Sequence, residues 1–222
     1  MSRSVVRQLI LKDLYLARWL ILGSLLAGAV SLAMLPLNRV SFYVGCVTFI
    51  CVLIILNVML VMASVVGERK ERVSVFLLSL PVSTSQYVTA KMLANCLAYF
   101  VPFFLLLVGS ISVIRVSAIP DGFIPLMVAV MGYAAFYYSL LLVVALLSEA
   151  PGWHTAIIVF GNVSINFVIT GLLQDPAVSG TSSGPVAVWT PSIVAALVLE
   201  IASTLVVLAL GWYLSTRKKS FV

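Results

Sequence analysis

The residues able to do chemistry are few and scattered. His154 is the one histidine, so it cannot supply a multi-histidine metal site, and H-E-x-x-H is absent. Ser148 lies close enough to form a formal Ser–His pair with it. No G-x-S-x-G elbow accompanies the two, so a hydrolase built on them is disfavoured and His154 reads as an interfacial anchor. The chain lacks G-x-x-x-x-G-K-[ST] and cannot cradle phosphates in that way. Cys46, Cys51 and Cys96 sit in apolar runs without C-x-x-C spacing and read as inert, buried thiols. The informative polar residues are those flanked by long apolar stretches: Glu200, the pair Asn162 and Asn166 one helical turn apart, and the singletons Asn57 and Asn95.

The stretches around them decide the solvent. The 222 residues are 63% hydrophobic and 9% charged, with mean hydropathy +1.20. A globular domain carries about 25% charged residues, so too few remain here to cover a water-facing surface. A bilayer core needs about 20 mostly apolar residues per helix. Six such runs are present, at about 19–38, 41–66, 87–114, 122–148, 154–174 and 191–216, and only the last contains an acid, Glu200. None alternates in the manner of transmembrane strands. The fold class is therefore an all-α membrane protein of six transmembrane helices, a single transmembrane domain over residues 1–222. Partnership with the lipid bilayer follows.

Local signals mark the boundaries. Pro36 and Asn38 end the first span. Ser83-Thr84-Ser85-Gln86 reads as a capping box that starts the third. Pro151-Gly152 makes a turn between the fourth and fifth. Thr190-Pro191, a cap followed by proline at the first helical position, opens the sixth. Ser31-Leu32-Ala33 faintly resembles a signal-peptide cleavage site, but the apolar run continues past it, so the segment reads as a retained helix.

Net charge is +6, and the basic residues are distributed unevenly. Arg3, Arg7, Lys12 and Arg18 precede the first span. Arg69, Lys70, Arg72 and Lys91 surround the loop after the second, and Arg217, Lys218 and Lys219 follow the sixth. An even number of spans puts these groups on one side and leaves Arg39 and Arg115 on the other. The positive-inside rule then expects cytoplasmic N- and C-termini. No basic patch interleaved with aromatics stands apart from this pattern, so nucleic acid is not expected as a partner.

A lone carboxylate in hydrocarbon costs at least a few kcal/mol. Glu200 must face protein or a wet cavity. Two readings stand: it lines a translocation pathway, or it accepts a structural hydrogen bond, with Ser203 and Thr204 nearby as donors. Asn162 and Asn166 present two amides on one stripe, suited to helix–helix hydrogen bonding or to a polar cavity. Asn57 and Asn95 read as packing glue. Tyr133, Phe136, Tyr137 and Tyr138 read as an aromatic packing patch. Gly23, Ala27 and Ser31 form a small-residue stripe suited to close helix approach, within the fold or between copies.

Two connections are longer than the rest. Residues 67–87 begin with Glu68, Arg69, Lys70, Glu71 and Arg72, five consecutive charges. Val73, Phe76, Leu77 and Leu80 then fall on one face of a short helix that stops at Pro81. Glu68 can pair with Arg72 at i, i+4. Such a helix lies in the interface, docks into another protein, or serves as a solvated linker. Residues 175–190 are rich in Gly, Ser and Pro and read as a flexible loop. The opening segment, residues 2–18, reads as an interfacial helix leading into the first span.

The wording of the first long connection resembles the segment joining the second and third spans of ABC-2-type transporter permeases, membrane subunits of bacterial ABC exporters. The resemblance lies in Gly67-Glu68-Arg69-Lys70-Glu71-Arg72, then Leu77-Leu78-Ser79-Leu80-Pro81-Val82-Ser83, then Tyr87 and Ala90-Lys91. Chain length, span count and the longer external loop before the last span agree. The resemblance implies a short cytoplasmic coupling helix between helices 2 and 3, about Glu68 to Leu80, pressed against a separate ATP-binding cassette ATPase subunit. Glu68, Arg69, Lys70, Glu71, Arg72, Phe76 and Leu77 are its ATPase-coupling residues. Asn162, Asn166 and Glu200 are the candidates for the translocation pathway. It also implies a second permease copy or homologue, and a multi-pass location in the bacterial inner membrane. No cofactor is expected in this chain and no enzymatic activity of its own; ATP and Mg belong to the partner ATPase. The alternatives are a six-span substrate-binding subunit of an uptake system and an ATP-independent secondary transporter. Matching interrupted helices in the two halves would favour the latter, and none is visible.

Overall fold

With no water to bond exposed backbone groups, each apolar run has to satisfy its own N–H and C=O groups, which the α-helix does. The computed structural model describes residues 2–70, 84–148 and 150–217. Among them it is all-helical, with no strand. Helix α1 is Ser2–Met34. Helix α2, Arg39–Val61, continues through a single π-helical turn, Met62–Val66, into the short α3, Gly67–Lys70. Then follow α4 Thr84–Val116, α5 Phe123–Leu147, α6 Pro151–Gln174, α7 Pro176–Ser182 and α8 Pro191–Arg217. Among the described residues six helices are long and apolar enough to cross a membrane.

Several boundaries differ from the expectation. Helix α1 runs without a break through residues 2–34, so the opening segment and the first span are one rod. Asn38 belongs to the second span: its side chain caps α2 by accepting the Ser41 N–H at 2.8 Å. Pro151 is the first residue of α6 and Gly152 lies in its first turn, so the reversal of chain direction comes before them. Thr190 caps α8 as expected, its hydroxyl oxygen accepting from the Ile193 N–H at 3.4 Å. The first half of the stretch read as a flexible loop folds into α7, while residues 183–190 are irregular as expected. Asp175 caps α7 by accepting the Ala177 N–H at 2.9 Å and also accepts from the Ser192 hydroxyl, which ties α6, α7 and α8 together. Val178 is buried with Leu126, Ala129 and Ile193. The proposed capping residue Ser83 lies outside the described residues.

Contacts between helices fix their directions. Asp13 meets Lys91, Gly28 meets Leu106 and Leu32 meets Gly109, a nearly constant offset, so α1 and α4 run parallel. Helix α5 runs antiparallel to α4, from the stacked rings of Tyr99 and Tyr138 and the contact of Ser110 with Met131. Gly132 meets Glu200 and Val143 meets Gly211, so α8 runs parallel to α5. Both ends of the described chain therefore lie at one end of the bundle. The indole N–H of Trp212, near the end of α8, donates to the Thr89 hydroxyl near the start of α4 at 3.1 Å.

Helix α5 is the central element. In its most apolar stretch 72% of residues are buried, against 17% in α6 and in α8, so the outer pair is left to lipid or to another protein. The aromatic patch on α5 is packing, as expected. Tyr138 stacks on Tyr99 with centroids 3.9 Å apart and donates its hydroxyl to the Asn95 carbonyl at 2.8 Å. Tyr137 lies over Gly161, where a Cβ would collide with the ring. Tyr133 and Ser164 share a hydrogen bond between α5 and α6. Asn57 donates to the Ala134 carbonyl at 3.2 Å, the role expected of packing glue. The small-residue stripe of α1 splits: Ser31 is buried, with Gly45 of α2 packed close to its carbonyl, while nothing approaches Gly23. Cys51 is exposed and all three cysteines are free thiols. His154 is buried, not the surface anchor expected from the sequence.

Candidate functional site

At the end of the bundle where α1 and α4 begin, four charges converge. Lys91 of α4 places its Nζ 2.8 Å from Asp13 Oδ2 of α1 and 2.7 Å from Glu68 Oε2 of α3. Lys12 of α1 donates to Glu68 Oε1 at 2.8 Å. The Tyr87 hydroxyl of α4 donates to Glu68 Oε2 at 3.3 Å. Two ammonium and two carboxylate groups balance, which is what makes burial of the set tolerable. The Lys91 side chain is 3% exposed and that of Glu68 10%, whereas Lys12 is 37% exposed and faces outward. Burial pushes the Glu68 carboxyl up, but the neighbouring Lys91 and Lys12 ammonium groups outweigh it and hold it below its ordinary value.

The cluster stands at both roots of segment 71–83: Glu68 sits just before it, Tyr87 and Lys91 just after. The π-helical turn lies immediately upstream of Glu68, and such turns recur at functional positions. There the Ser64 hydroxyl lies 2.6 Å from both the Leu60 carbonyl and Asn95 Oδ1, while Asn95 donates to the Lys91 carbonyl at 2.9 Å. Of the coupling residues expected from sequence, Glu68 is thus an internal member of an ion cluster joining three helices. Arg69 and Lys70 lie on α3. Glu71, Arg72, Phe76 and Leu77 lie outside the described residues.

The expected pathway residues separate. Glu200 is 8% exposed, on the seam of α8 that faces α5 together with Ile193, Thr204, Gly211 and Ser215. Its carboxylate reaches Gly132, where a Cβ would collide with Oε2. It stands in the wall of two cavities. One, of about 400 Å³, lies between α4, α5 and α8 and includes Phe100, Phe103 and Phe104. The other, of about 570 Å³, lies between α5, α6 and α8 and includes Tyr133, Phe136 and Phe167. The structural hydrogen bond considered for Glu200 does not come from Ser203, whose hydroxyl donates to the Leu199 and Glu200 carbonyls at 2.7 and 3.1 Å. Oε2 is buried without a hydrogen-bond partner among the described residues. Asn162 and Asn166 line neither cavity. Their amides donate along α6 itself, to the Ile158 and Asn162 carbonyls at 2.8 and 3.1 Å. Among the described residues, no three His, Cys, Asp or Glu side chains gather as a metal site.

The described residues thus combine six helices long and apolar enough to cross a membrane, a buried ion cluster at the roots of the connection after the second, and apolar cavities along the last. A family model described as ABC-2 family transporter protein matches residues 21–213. The chain belongs to that family. As an ABC-2 family member it is a multi-pass membrane protein and a transporter permease. No curated protein and no solved structure matches the chain. The match runs from the middle of α1 to the last turns of α8, so it takes in Glu68, Lys91 and Glu200 and leaves out Lys12 and Asp13.

The sequence pattern gives no role to Asp13, reads Lys12 as an orientation charge, and reads Lys91 as an orientation charge and as part of the Ala90-Lys91 resemblance, without partners for any of them. Their partners lie 56 and 78 positions away in the chain, beyond the reach of helical spacing. The available signal was an acid and a lysine adjacent to apolar runs, where an unpaired charge is costly.

Proposed function

We propose that this ABC-2 permease is the membrane subunit of an exporter, forming the substrate route and driven by a separate ATP-binding cassette ATPase subunit that docks on residues 69–80. The observation that carries the reading is the family match over residues 21–213. The ion cluster supports the mechanism. A push on the segment after Glu68 is delivered through Glu68 and Lys91 to α1, α2 and α4 at once, because buried, paired charges resist separation. Glu68 then positions the coupling element, while Arg69, Lys70, Glu71, Arg72, Phe76 and Leu77 meet the ATPase. Apolar knobs would give that contact its affinity and the charges its register. ATP and Mg bind to the partner chain. Glu200 belongs to the route, and Asn162 and Asn166, on the sparsely covered α6, face a second permease copy or lipid. The termini and the cluster end lie in the cytoplasm of a bacterium, with the six spans in its inner membrane, as the basic residues favour.

The test is co-expression with an ATPase chain encoded beside it, followed by purification on a tag carried by the permease. The ATPase copurifies with the wild-type chain, and charge reversal at Arg69, Lys70 and Arg72 removes it while the permease remains inserted. Retention of the ATPase by the reversed variant overturns the docking assignment. Transport with no ATPase present overturns the whole reading.

A further inference from the structure

Glu200 lacks what every buried carboxylate needs. A hydrogen-bond donor or a cation has to replace the water it gave up. Oε2 has no such partner among the described residues, and no salt bridge reaches Glu200 there. Gly132, by having no side chain, opens the space the carboxylate fills. Glu200 stands in the wall between the two cavities, and their linings exclude most ligand classes. Apart from Glu200, the smaller offers one hydroxyl, Thr204, and the larger offers Ser203 and Tyr133, already engaged by helix carbonyls and by Ser164. Among the described residues no cation lines either cavity to receive an anion, and no array of donors is present for a polyol. What is offered is one carboxyl group that a cation can pair with once it is ionised, with the aromatic rings of Phe100, Phe103 and Phe104 on one side and Tyr133, Phe136 and Phe167 on the other, surfaces that attract cations as well as apolar groups. Each volume is within the range of pockets that hold small molecules.

We propose that the paired cavities around Glu200 form a binding site for a lipophilic monocation, a bulky apolar molecule carrying a single positive charge. The charge sits against Glu200, and the apolar body lies on the aromatic walls beside α8. That this ligand is transported rests on the permease reading above; that it binds does not.

The probe is tetraphenylphosphonium, with tetraphenylborate as its counterpart of similar shape and opposite charge. Binding is measured by equilibrium dialysis to the full chain in nanodiscs of zwitterionic lipid, after subtraction of empty discs and without an ATPase. Saturable, one-to-one binding of the phosphonium is expected, with only lipid partitioning for the borate. Glu200→Gln weakens phosphonium binding at least about tenfold, the loss of one close charge pair, and Glu200→Asp retains most of it. Ile201→Trp, a change at an exposed position lining the smaller cavity, weakens binding with the carboxylate intact and decides the matter should Glu200→Gln fail to fold. Equal saturable binding of the borate overturns the proposal, as does unchanged phosphonium binding in folded Glu200→Gln or in Ile201→Trp. Failure of the ATPase to copurify leaves all of these results standing, so the two readings fail separately.

Discussion

Lys91 and Glu68 form an ion pair of 2.7 Å across the two roots of the segment that joins the second and third spans. Because Asp13 and Lys12 complete the set, the pair fastens three helices at the end of the bundle where the chain begins and ends.

Removing one member leaves opposite charges buried and uncompensated. Lys91→Met is expected to destabilise the protein by about 3–5 kcal/mol, the range for breaking a buried pair. Lys12→Ala, at a side chain more than one-third exposed, should cost no more than about 1 kcal/mol. Thermal unfolding in detergent, followed by loss of the monodisperse peak, ranks the variants. An equally small loss for the two would mean that the cluster is hydrated and carries little.

The same cluster sets an acid dependence. Burial raises the Glu68 carboxyl, but the lysines more than offset this and its value in the folded protein is lowered from about 4.5. A depressed carboxylate contributes stability that is present above the unfolded value and is lost as pH falls through the folded one. Melting temperature is therefore expected to hold from neutrality down to about pH 4.5 and to fall below it, and Glu68→Gln should flatten part of that decline. A decline of unchanged depth in Glu68→Gln would assign it to other carboxylates.

The six spans were legible because hydrocarbon imposes a single rule, about 20 apolar residues in a row, that composition alone reports. The caps at Asn38 and Thr190 are legible as residue types, but a cap and a terminator look alike in a short connection, so the pattern alone does not assign Asn38 to α2. Helix α7 was hidden by Gly and Ser, poor helix formers, and exists because Asp175 caps it and Val178 is buried against α5 and α8. Glu200 stood out since an acid in an apolar run has few explanations. The lysine partners of Glu68 did not, since tertiary pairing leaves no periodic trace. Asn162 and Asn166 show the converse: their spacing is as expected, but a lone helix face can satisfy its own amides through the carbonyls one turn back.

Two glycines separate packing from exposure. Gly161 lies under the Tyr137 ring, and a side chain there has no room. Gly161→Leu should part α5 from α6 at a cost of about 1–3 kcal/mol, typical of overpacking. Gly23 has open space around it, so Gly23→Ala should be neutral or slightly stabilising, since alanine is the better helix former. Melting temperatures of the two variants check this, and a destabilised Gly23→Ala would show that α1 is covered in the membrane by another chain.

Helix α7 depends on its cap. Asp175 accepts from the Ser192 hydroxyl and from the Ala177 N–H, and these bonds hold its carboxyl below the ordinary value. Asp175→Ala should weaken α7 by removing its cap, seen as several-fold faster amide hydrogen exchange over residues 176–182 with the six spans unaffected. Unchanged exchange would mean that the burial of Val178 alone holds the helix.

The proposed function requires an ATPase chain that presses on the segment rooted by Glu68 and Lys91. A photo-crosslinking amino acid placed at Phe76, in cells expressing the permease with its neighbouring ATPase, measures that contact directly. The account predicts an adduct with the ATPase that forms at position 76 and is absent when the same group replaces Val116, at the opposite end of α4. Efficient insertion with no ATPase adduct at Phe76, or equal adducts at both positions, would contradict it.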